Sequence, residues 1–264
     1  MPEGHTVHRA ARRQTRLLGG QQLAVSSPQG RFAADAARID GSTLQCVEAY
    51  GKHLFYHWET GDVGHVHLGL FGRFRIREDG AGEPGANVRM RLATDDVTVD
   101  LSGPTICSLD PPDVHAEVIA RLGPDPLRRN SSPDRMIDRI SRSRRAIGDL
   151  LMDQSVIAGL GNVYRAELLF VTGVHPLAPG RTIDEHTIQS FWDTAAAMLR
   201  DGVRRGRIQT VDRAELGLPA GRRVPRGERT YVYKRDRCLR CGDAIRTVEI
   251  AGRTCYYCPT DQRQ

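Results

Sequence analysis

The sequence has no run of eighteen or more apolar residues, and its first residues lack the apolar core of a signal peptide. It also contains no internal repeat. Only six cysteines occur, and four of them fall between residues 238 and 258, which is not the pattern of a disulfide framework. These absences predict a soluble, cytoplasmic protein without a membrane span.

Charge is unevenly distributed along the 264 residues, a length sufficient for two compact domains. Residues 1–127 carry 13 Lys and Arg against 16 Asp and Glu (−3), while residues 128–264 carry 25 against 16 (+9). A basic half in a chain with a pI of about 9.2 indicates a polyanionic partner. An arginine-rich surface that is only solvated would have the same composition.

The hydrophobic pattern divides the chain into a β-rich part and a helical part. Apolar residues at helical spacing predict a helix over residues 4–18, which Gly19 and Gly20 end. Alternating segments then predict six or more strands without intervening helices, which is typical of a sandwich or barrel. The predicted strands cover residues 44–50, 53–58, 64–70, 73–77, 88–93 and 97–101.

Helical periodicity replaces the strand pattern after residue 111. A linker is expected to end at Ser132, as the N-cap before Pro133. Helices are predicted over residues 114–122, 133–153, 162–172 and 183–203, followed by a basic, mobile loop over 206–229. We therefore predict a helix and β domain (1–122), a helical domain (123–230) and a cysteine-bearing β segment (231–264).

The first three residues, Met1-Pro2-Glu3, can place an amine beside a carboxylic acid. Removal of Met1 would give Pro2 a free secondary amine, which attacks a carbonyl carbon to form an iminium ion and so acts as a covalent catalyst. Glu3 is positioned to donate a proton to a departing group. The same three residues are also compatible with an ordinary chain start.

Two further short motifs suit phosphate binding. Gly159 and Gly161 bracket a tight turn before a helix that Asn162 is expected to cap, and amide N–H groups at a helix N-terminus bind phosphate. The alternative is a packing corner between two helices. Lys52 follows a glycine in a bend between strands, where composition alone predicts a solvent-facing turn lysine.

The C-terminal cysteines form two Cys-x-x-Cys pairs within 21 residues, Cys238 with Cys241 and Cys255 with Cys258. Four thiolates in two knuckles suit tetrahedral Zn²⁺. A redox role is disfavoured because redox motifs occur as a single pair. Arg253 lies between the pairs on a predicted hairpin, where it could reach a phosphate.

Five motifs, in order, resemble the formamidopyrimidine-DNA glycosylase and endonuclease VIII family over essentially the whole chain. They are Met1-Pro2-Glu3-Gly4, Gly51-Lys52, residues 67–72, residues 153–167 and the cysteine hairpin. The resemblance implies an α+β fold, with a helix and β-sandwich, a helical domain containing a helix–two-turn–helix, and a terminal zinc-binding β-hairpin. It further implies a monomeric bifunctional DNA glycosylase and abasic-site lyase that carries one structural Zn²⁺ and acts on damaged duplex or single-stranded DNA.

Through this resemblance each site residue has an expected role. Pro2 would be the nucleophile on C1′ of the damaged nucleoside, and Glu3 would be the acid that protonates the opening sugar. Leu70 and Phe71 would enter the gap left by the flipped base. Three residues would bind phosphates near the lesion: Lys52, Asn162 and Arg253.

The chain departs from the family pattern in several places. His5 and Thr6 replace a usual Pro-Glu, so a second carboxylate near the active site is missing, and Gly148 stands where many relatives have a basic residue. In the zinc segment the family's last cysteine falls on Asp261, whereas Cys255 is an additional cysteine. Either could complete the tetrahedron, and thiolate chemistry favours Cys255.

Gly4 resembles the endonuclease VIII branch, so oxidised pyrimidines are the expected substrates. Two alternatives remain from the sequence. One is an 8-oxoguanine or formamidopyrimidine glycosylase, and the other is a catalytically silent protein that binds damaged DNA.

Overall fold

The structure, a computed structural model, describes residues 2–79, 82–219 and 221–263. The chain folds into two compact units, the first ending at Arg121 and the second beginning at Leu122. The expected separation of residues 231–264 from the helical domain stays a prediction.

The first unit begins with a helix and continues with short antiparallel strands. Its helices are α1 (Gly4–Leu18), α2 (Ala33–Ile39) and α3 (Pro112–Arg121). Its strands are β1 (Gln21–Gln22), β2 (Ala24–Ser26), β3 (Thr43–Tyr50), β4 (His53–Trp58), β5 (Val63–His67), β6 (Arg73–Arg77), β7 (Val88–Ala93), β8 (Thr98–Ser102) and β9 (Ile106–Asp110).

These strands form two sheets in the described residues of the first unit. One sheet has the order β1-β3-β4-β5-β9 and the other the order β2-β7-β8-β6. A single apolar core joins α1 to both sheets, with Val7, Val47, Tyr56, Leu92 and Val99 among its buried members. Alternation along each strand sends these residues inward. The predicted helix followed by a β-sandwich is therefore confirmed.

Two expectations for this unit are wrong. Helix α2 lies where only strands were expected, because its seven residues are too few for a clear helical period, although Ala36 and Ile39 are buried. Strand β5 ends at His67, not at Leu70. The cause is Gly69, whose φ is +61° and where a Cβ would lie 1.8 Å from Thr105 Oγ1.

The second unit is helical and ends in a β-hairpin. Its helices are α4 (Asp134–Ser141), α5 (Ile147–Leu150), α6 (Asn162–Val171) and α7 (Glu185–Arg205), and its strands are β10 (Arg246–Ile250) and β11 (Arg253–Tyr257). The single helix expected over 133–153 is thus two helices. The first begins at Asp134, whose N–H lies 3.3 Å from Ser132 Oγ, and Pro133 is the N-cap residue instead of Ser132.

Helix α6 is buried on both of its sides. Tyr164 and Leu168 pack into the core formed with the other helices. Ala166 and Phe170 instead pack against residues 231–258 in a separate apolar cluster. This helix therefore fixes the hairpin segment relative to the rest of the second unit. Across the described ranges, no helix is both long and apolar enough to cross a membrane.

Candidate functional site

Pro2 and Glu3 lie immediately before α1. The Glu3 carbonyl accepts hydrogen bonds from the N–H groups of Thr6 (2.9 Å) and Val7 (3.3 Å), which fixes the first helical turn. Pro2 is half-buried, whereas Glu3 is 0% exposed. The fold therefore holds a buried carboxyl group next to a partly accessible proline.

His5 occupies the position where a second carboxylate is missing. The residue is buried, and its Nε2 lies 3.2 Å from Thr6 Oγ1. Burial lowers the pKa of His5 to about 4, so the imidazole is neutral at physiological pH. This position thus supplies neither a carboxylate nor a charge.

Lys52 lies in the turn between β3 and β4, after Gly51, which has a φ of +55°. His53 and His67, which pair across β4 and β5, lie close enough for the Lys52 charge to affect them. Burial lowers the pKa of His53 to about 3, with a smaller effect from the charges of its neighbours, including Lys52. Burial and the charge of Lys52 also lower the pKa of His67. Lys52 therefore supplies positive charge beside neutral imidazoles. Sequence reasoning gave these histidines no role, although they alternate with apolar residues.

Leu70 and Phe71 project from the loop between β5 and β6. Their exposed fractions are 55% and 82%. The loop is anchored by the buried Leu68, whose carbonyl accepts a hydrogen bond from Gly72 N–H (2.8 Å). Two large apolar side chains on an anchored loop are typical of a surface that contacts a partner.

Asn162 and Arg253, which are 91 positions apart, are brought together in the second unit. Asn162 is the first residue of α6 and not its cap, since Gly161 holds the N-cap position. The Asn162 Nδ2 donates to the Thr254 carbonyl on β11 (3.0 Å). Arg165 donates to Asn162 Oδ1 and reaches the carbonyls of Arg253 (3.4 Å) and Thr254 (3.3 Å). We call this arrangement the hairpin clamp.

Arg165 is the residue of this clamp that sequence reasoning missed. It is fully buried and also donates to the Gly148 carbonyl (3.2 Å). A Cβ at Gly148 would lie 2.8 Å from Ile250 Cδ1, so this position has little room for a side chain. The available signal was the spacing of three residues from Asn162, which places both side chains on one helix face.

Glu167 ties the same helix to the segment that leads into the cysteine hairpin. Its carboxylate accepts hydrogen bonds from the N–H groups of Tyr231 (2.7 Å), Val232 (3.0 Å) and Tyr233 (2.9 Å), and from Thr210 Oγ1. Burial raises the pKa of Glu167, while these four donors oppose that rise. The group is a structural anchor that local sequence patterns did not indicate.

A group that could hold a metal ion lies at the C-terminal hairpin. It consists of Cys238, Cys241, Cys258 and Asp261, whose ligand atoms lie within 4.8 Å of one another. Cys238 Sγ is 3.3 Å from Asp261 Oδ2, and Cys241 Sγ is 3.4 Å from Cys258 Sγ. Three thiols and one carboxylate are donors that Zn²⁺ accepts, and their separations suit a tetrahedral ion.

Cys255 is not in this group, which corrects the ligand set favoured from the sequence. It lies within β11 opposite Val248 and is fully buried. Its thiol is near the Arg165 guanidinium, which opposes the rise that burial causes in the pKa of Cys255. The strand thus directs Cys255 towards α6, whereas Asp261, after the strand has ended, reaches the other three cysteines.

Sequence comparisons match the chain from end to end. The profile of the formamidopyrimidine-DNA glycosylase N-terminal domain matches residues 1–110, and that of the formamidopyrimidine-DNA glycosylase H2TH domain matches residues 122–213. The chain is 47% identical over 270 residues to Endonuclease 8 1 of Mycobacterium tuberculosis, covering 99% of this chain and 100% of that protein. It is 33% identical over 274 residues to probable endonuclease 8 2 of Streptomyces coelicolor, covering 99% and 94%.

A structural comparison gives the same fold. The Lactococcus lactis Fpg, solved in complex with an abasic site containing DNA, superimposes with a TM-score of 0.80. The match covers 99% of this chain and 100% of that chain at 20% sequence identity, so it bears on the fold alone.

Proposed function

Because this chain belongs to the formamidopyrimidine-DNA glycosylase family, we propose that it excises oxidised bases, above all pyrimidines, from DNA and then cleaves the strand at the resulting abasic site. The supporting observation is the position of Pro2 beside the fully buried Glu3 at the start of α1, in a chain with full-length endonuclease 8 relatives. Gly4, which favours the endonuclease VIII branch, supports the choice of pyrimidines.

The proposed reaction uses the two N-terminal residues in different steps. Once Met1 is removed, the Pro2 nitrogen attacks C1′ of the flipped nucleoside, and the bond from C1′ to the base breaks with its electron pair leaving on the base. The proton that the Pro2 nitrogen loses balances the proton that the departing base gains. Glu3 donates a proton to the ring oxygen as the sugar opens, which leaves an iminium ion between Pro2 and C1′. Loss of a C2′ proton expels the 3′ phosphate, and loss of a C4′ proton then expels the 5′ phosphate. Water hydrolyses the iminium ion, which frees Pro2.

The other predicted site residues would hold the DNA. Lys52 and Arg253 would bind phosphates as cations, and Asn162 would bind one through a neutral amide. Leu70 and Phe71 would fill the gap in the base stack. Their apolar side chains, which are exposed to water in the free protein, would there contact the neighbouring bases. The hairpin clamp supports this proposal because it joins the β11 backbone at Arg253 and Thr254 to α6, which carries Asn162.

We expect Arg253→Gln to weaken DNA binding equally for all sequences and to reduce the salt dependence of binding. Removing one cation from a phosphate lowers the slope of log K against log salt by about 0.9. Asn162→Ala should weaken binding without changing the slope, because the amide carries no charge and Arg165 still reaches the carbonyls of Arg253 and Thr254. Fluorescence anisotropy over a salt series measures both quantities.

Arg200→Gln, which removes an exposed cation of α7, is the matched control and should leave affinity and slope unchanged. An effect of Arg253→Gln on one lesion but not on undamaged DNA would contradict the assignment of Arg253 to a phosphate.

We also propose that the cysteine hairpin carries one structural Zn²⁺ held by Cys238, Cys241, Cys258 and Asp261. Four protein ligands would leave no coordination position for a reactant, so the ion would supply rigidity and not catalysis. The hairpin has two strands of five residues each, too few to be stable alone, and it carries Arg253.

We expect Asp261→Ala to lower zinc affinity by more than about 100-fold. Loss of a residue that hydrogen-bonds to a metal ligand lowers affinity by about 10–100-fold, and loss of a ligand itself should have a larger effect. Cys255→Ser should keep full zinc content because its side chain faces α6. Competition with a chromogenic chelator measures both. Full zinc in the Asp261 variant and loss in the Cys255 variant would restore the four-cysteine site.

A panel of duplexes, each with one lesion, tests the proposed function. We expect excision of thymine glycol to be faster than excision of 8-oxoguanine or a formamidopyrimidine. We also expect the protein to cleave a duplex that contains a preformed abasic site. The reverse order of excision would assign the chain to purine lesions. An intact abasic strand would instead make it a silent DNA-binding protein, the alternative that the uncharged His5 keeps open.

A further inference from the structure

A second group of metal-ligand side chains lies in the first unit and has no part in the proposed reaction. It consists of Glu48 on β3, His57 on β4 and His115 on α3, and we call it the histidine–glutamate group. The three ligand atoms lie within 4.8 Å of one another. Sequence reasoning did not find the group because its members come from three separate elements.

The sheet register explains how two of these residues meet. Cys46 pairs with His57 and Glu48 pairs with Phe55, so Glu48 and His57 are diagonal neighbours on one face of the sheet. Alternation puts Val47 and Tyr56, which belong to the core, on the opposite face. The histidine–glutamate group is therefore on the outer face of the five-stranded sheet, where α3 lies near β5.

The Nε2 atoms of both imidazoles lie near one carboxylate oxygen. Glu48 Oε2 is 2.9 Å from His57 Nε2 and 3.4 Å from His115 Nε2. The two rings are nearly perpendicular, at 88°, with centroids 5.2 Å apart. The two imidazoles therefore meet edge to face and do not stack on one another.

The surroundings keep this arrangement in place. Phe55 packs edge-on against His115, with centroids 4.4 Å apart. Phe55 and His115 also line a small cavity together with Val63, Val114 and Val118. The side chains of Glu48, His57 and His115 remain 25%, 24% and 19% exposed, although the His115 Nε2 atom itself is buried.

We propose that the histidine–glutamate group binds a divalent transition-metal ion of the Zn²⁺ type. Two imidazoles and one carboxylate are a donor set that such ions accept, with the remaining positions open to water. Ligand distances of about 2.0–2.1 Å in a tetrahedral site imply donor separations of roughly 3.3 Å. The two separations from Glu48 Oε2, 2.9 Å and 3.4 Å, are close to this value. The bound ion would link α3 to β3 and β4. This inference does not depend on the glycosylase function.

Dialysis of the full chain against Co²⁺ as the only divalent ion tests the proposal, because Co²⁺ reports its ligands by absorption. We expect two equivalents per chain. One should show sulfur-to-cobalt charge transfer from the cysteine hairpin, and the other should show only the weaker bands of nitrogen and oxygen ligands.

Three variants assign the second equivalent. Glu48→Gln keeps a hydrogen-bond acceptor but removes the charge, and His57→Gln removes an imidazole. Each variant should lose the Co²⁺ ion that shows no charge transfer and keep the Co²⁺ ion bound to the cysteines. His186→Gln, at an exposed histidine of α7, should keep both. Only one equivalent, showing charge transfer, in the wild type would overturn the proposal. Equal binding by Glu48→Gln, His57→Gln and the wild type would overturn it as well.

The Asp261→Ala variant separates this inference from the proposed zinc hairpin. It should lose the charge-transfer equivalent and retain the second. Loss of both equivalents together in Asp261→Ala would contradict an independent site at Glu48, His57 and His115.

Discussion

A chain with an uncleaved extension before Pro2 is expected to give no borohydride-trapped complex with abasic-site DNA. Its rate of strand cleavage should fall by about 10³-fold or more, which is the order of effect seen when a covalent nucleophile is lost. The reason is that an amide nitrogen has no lone pair available to attack C1′, so the reducible iminium ion cannot form. Gel analysis of the trapped complex and single-turnover cleavage measure the two effects.

Two controls separate the amine from other causes of inactivity. The same extension placed after Gln264 should leave trapping intact. Glu3→Gln should slow base excision by about 10²–10⁴-fold, the usual contribution of a general acid, while a preformed abasic site is still trapped. Undiminished trapping by the chain extended before Pro2 would remove Pro2 from its proposed role.

Replacement of Glu167 by Gln is expected to destabilise the second unit by about 3–5 kcal/mol. The carboxylate accepts four hydrogen bonds, three of them from consecutive backbone N–H groups. A glutamine of nearly the same shape turns one acceptor oxygen into an NH₂ group that faces donors. Buried donors without acceptors each cost about 1–3 kcal/mol.

Thermal unfolding measures this effect. A loss of this size should lower the melting temperature by about 10 °C, at roughly 2–4 °C for each kcal/mol in a domain of this size. Glu249→Gln, at an exposed position on β10, is the matched control and should change it little. An unchanged melting temperature in Glu167→Gln would show that the segment from Tyr231 to Tyr233 is held by packing alone.

The anchor also bears on the proposed contact of Arg253 with DNA. Glu167 fixes the chain just before Cys238, and Arg165, on the same helix, holds β11 through the carbonyls of Arg253 and Thr254. Helix α6 therefore contacts both the segment that leads into the cysteine hairpin and the start of β11, next to the turn of the hairpin. We infer that loss of Glu167 would weaken DNA binding through Arg253 without direct contact to DNA.

Local signals in the sequence determined the elements and the chemistry of single motifs. The helical period of residues 4–18, the alternation along β3, β4 and β7, and the two Cys-x-x-Cys pairs are each contained within a few turns or one hairpin. Their physical cause is equally local, because side-chain period follows from backbone geometry. The resemblance to the family then joined these motifs into one expected site.

Only the tertiary structure decided which residues meet across long stretches of chain. Arg165 contacts a carbonyl 88 positions away, and Glu48 meets His115, which is 67 positions away. Asp261 replaced Cys255 as the expected fourth metal ligand because strand β11 turns Cys255 towards α6. Thiolate chemistry favoured Cys255, but the choice of ligand depends on where each side chain points once the hairpin and helix are packed. That direction is set by strand register and helix position, which no short window of sequence contains.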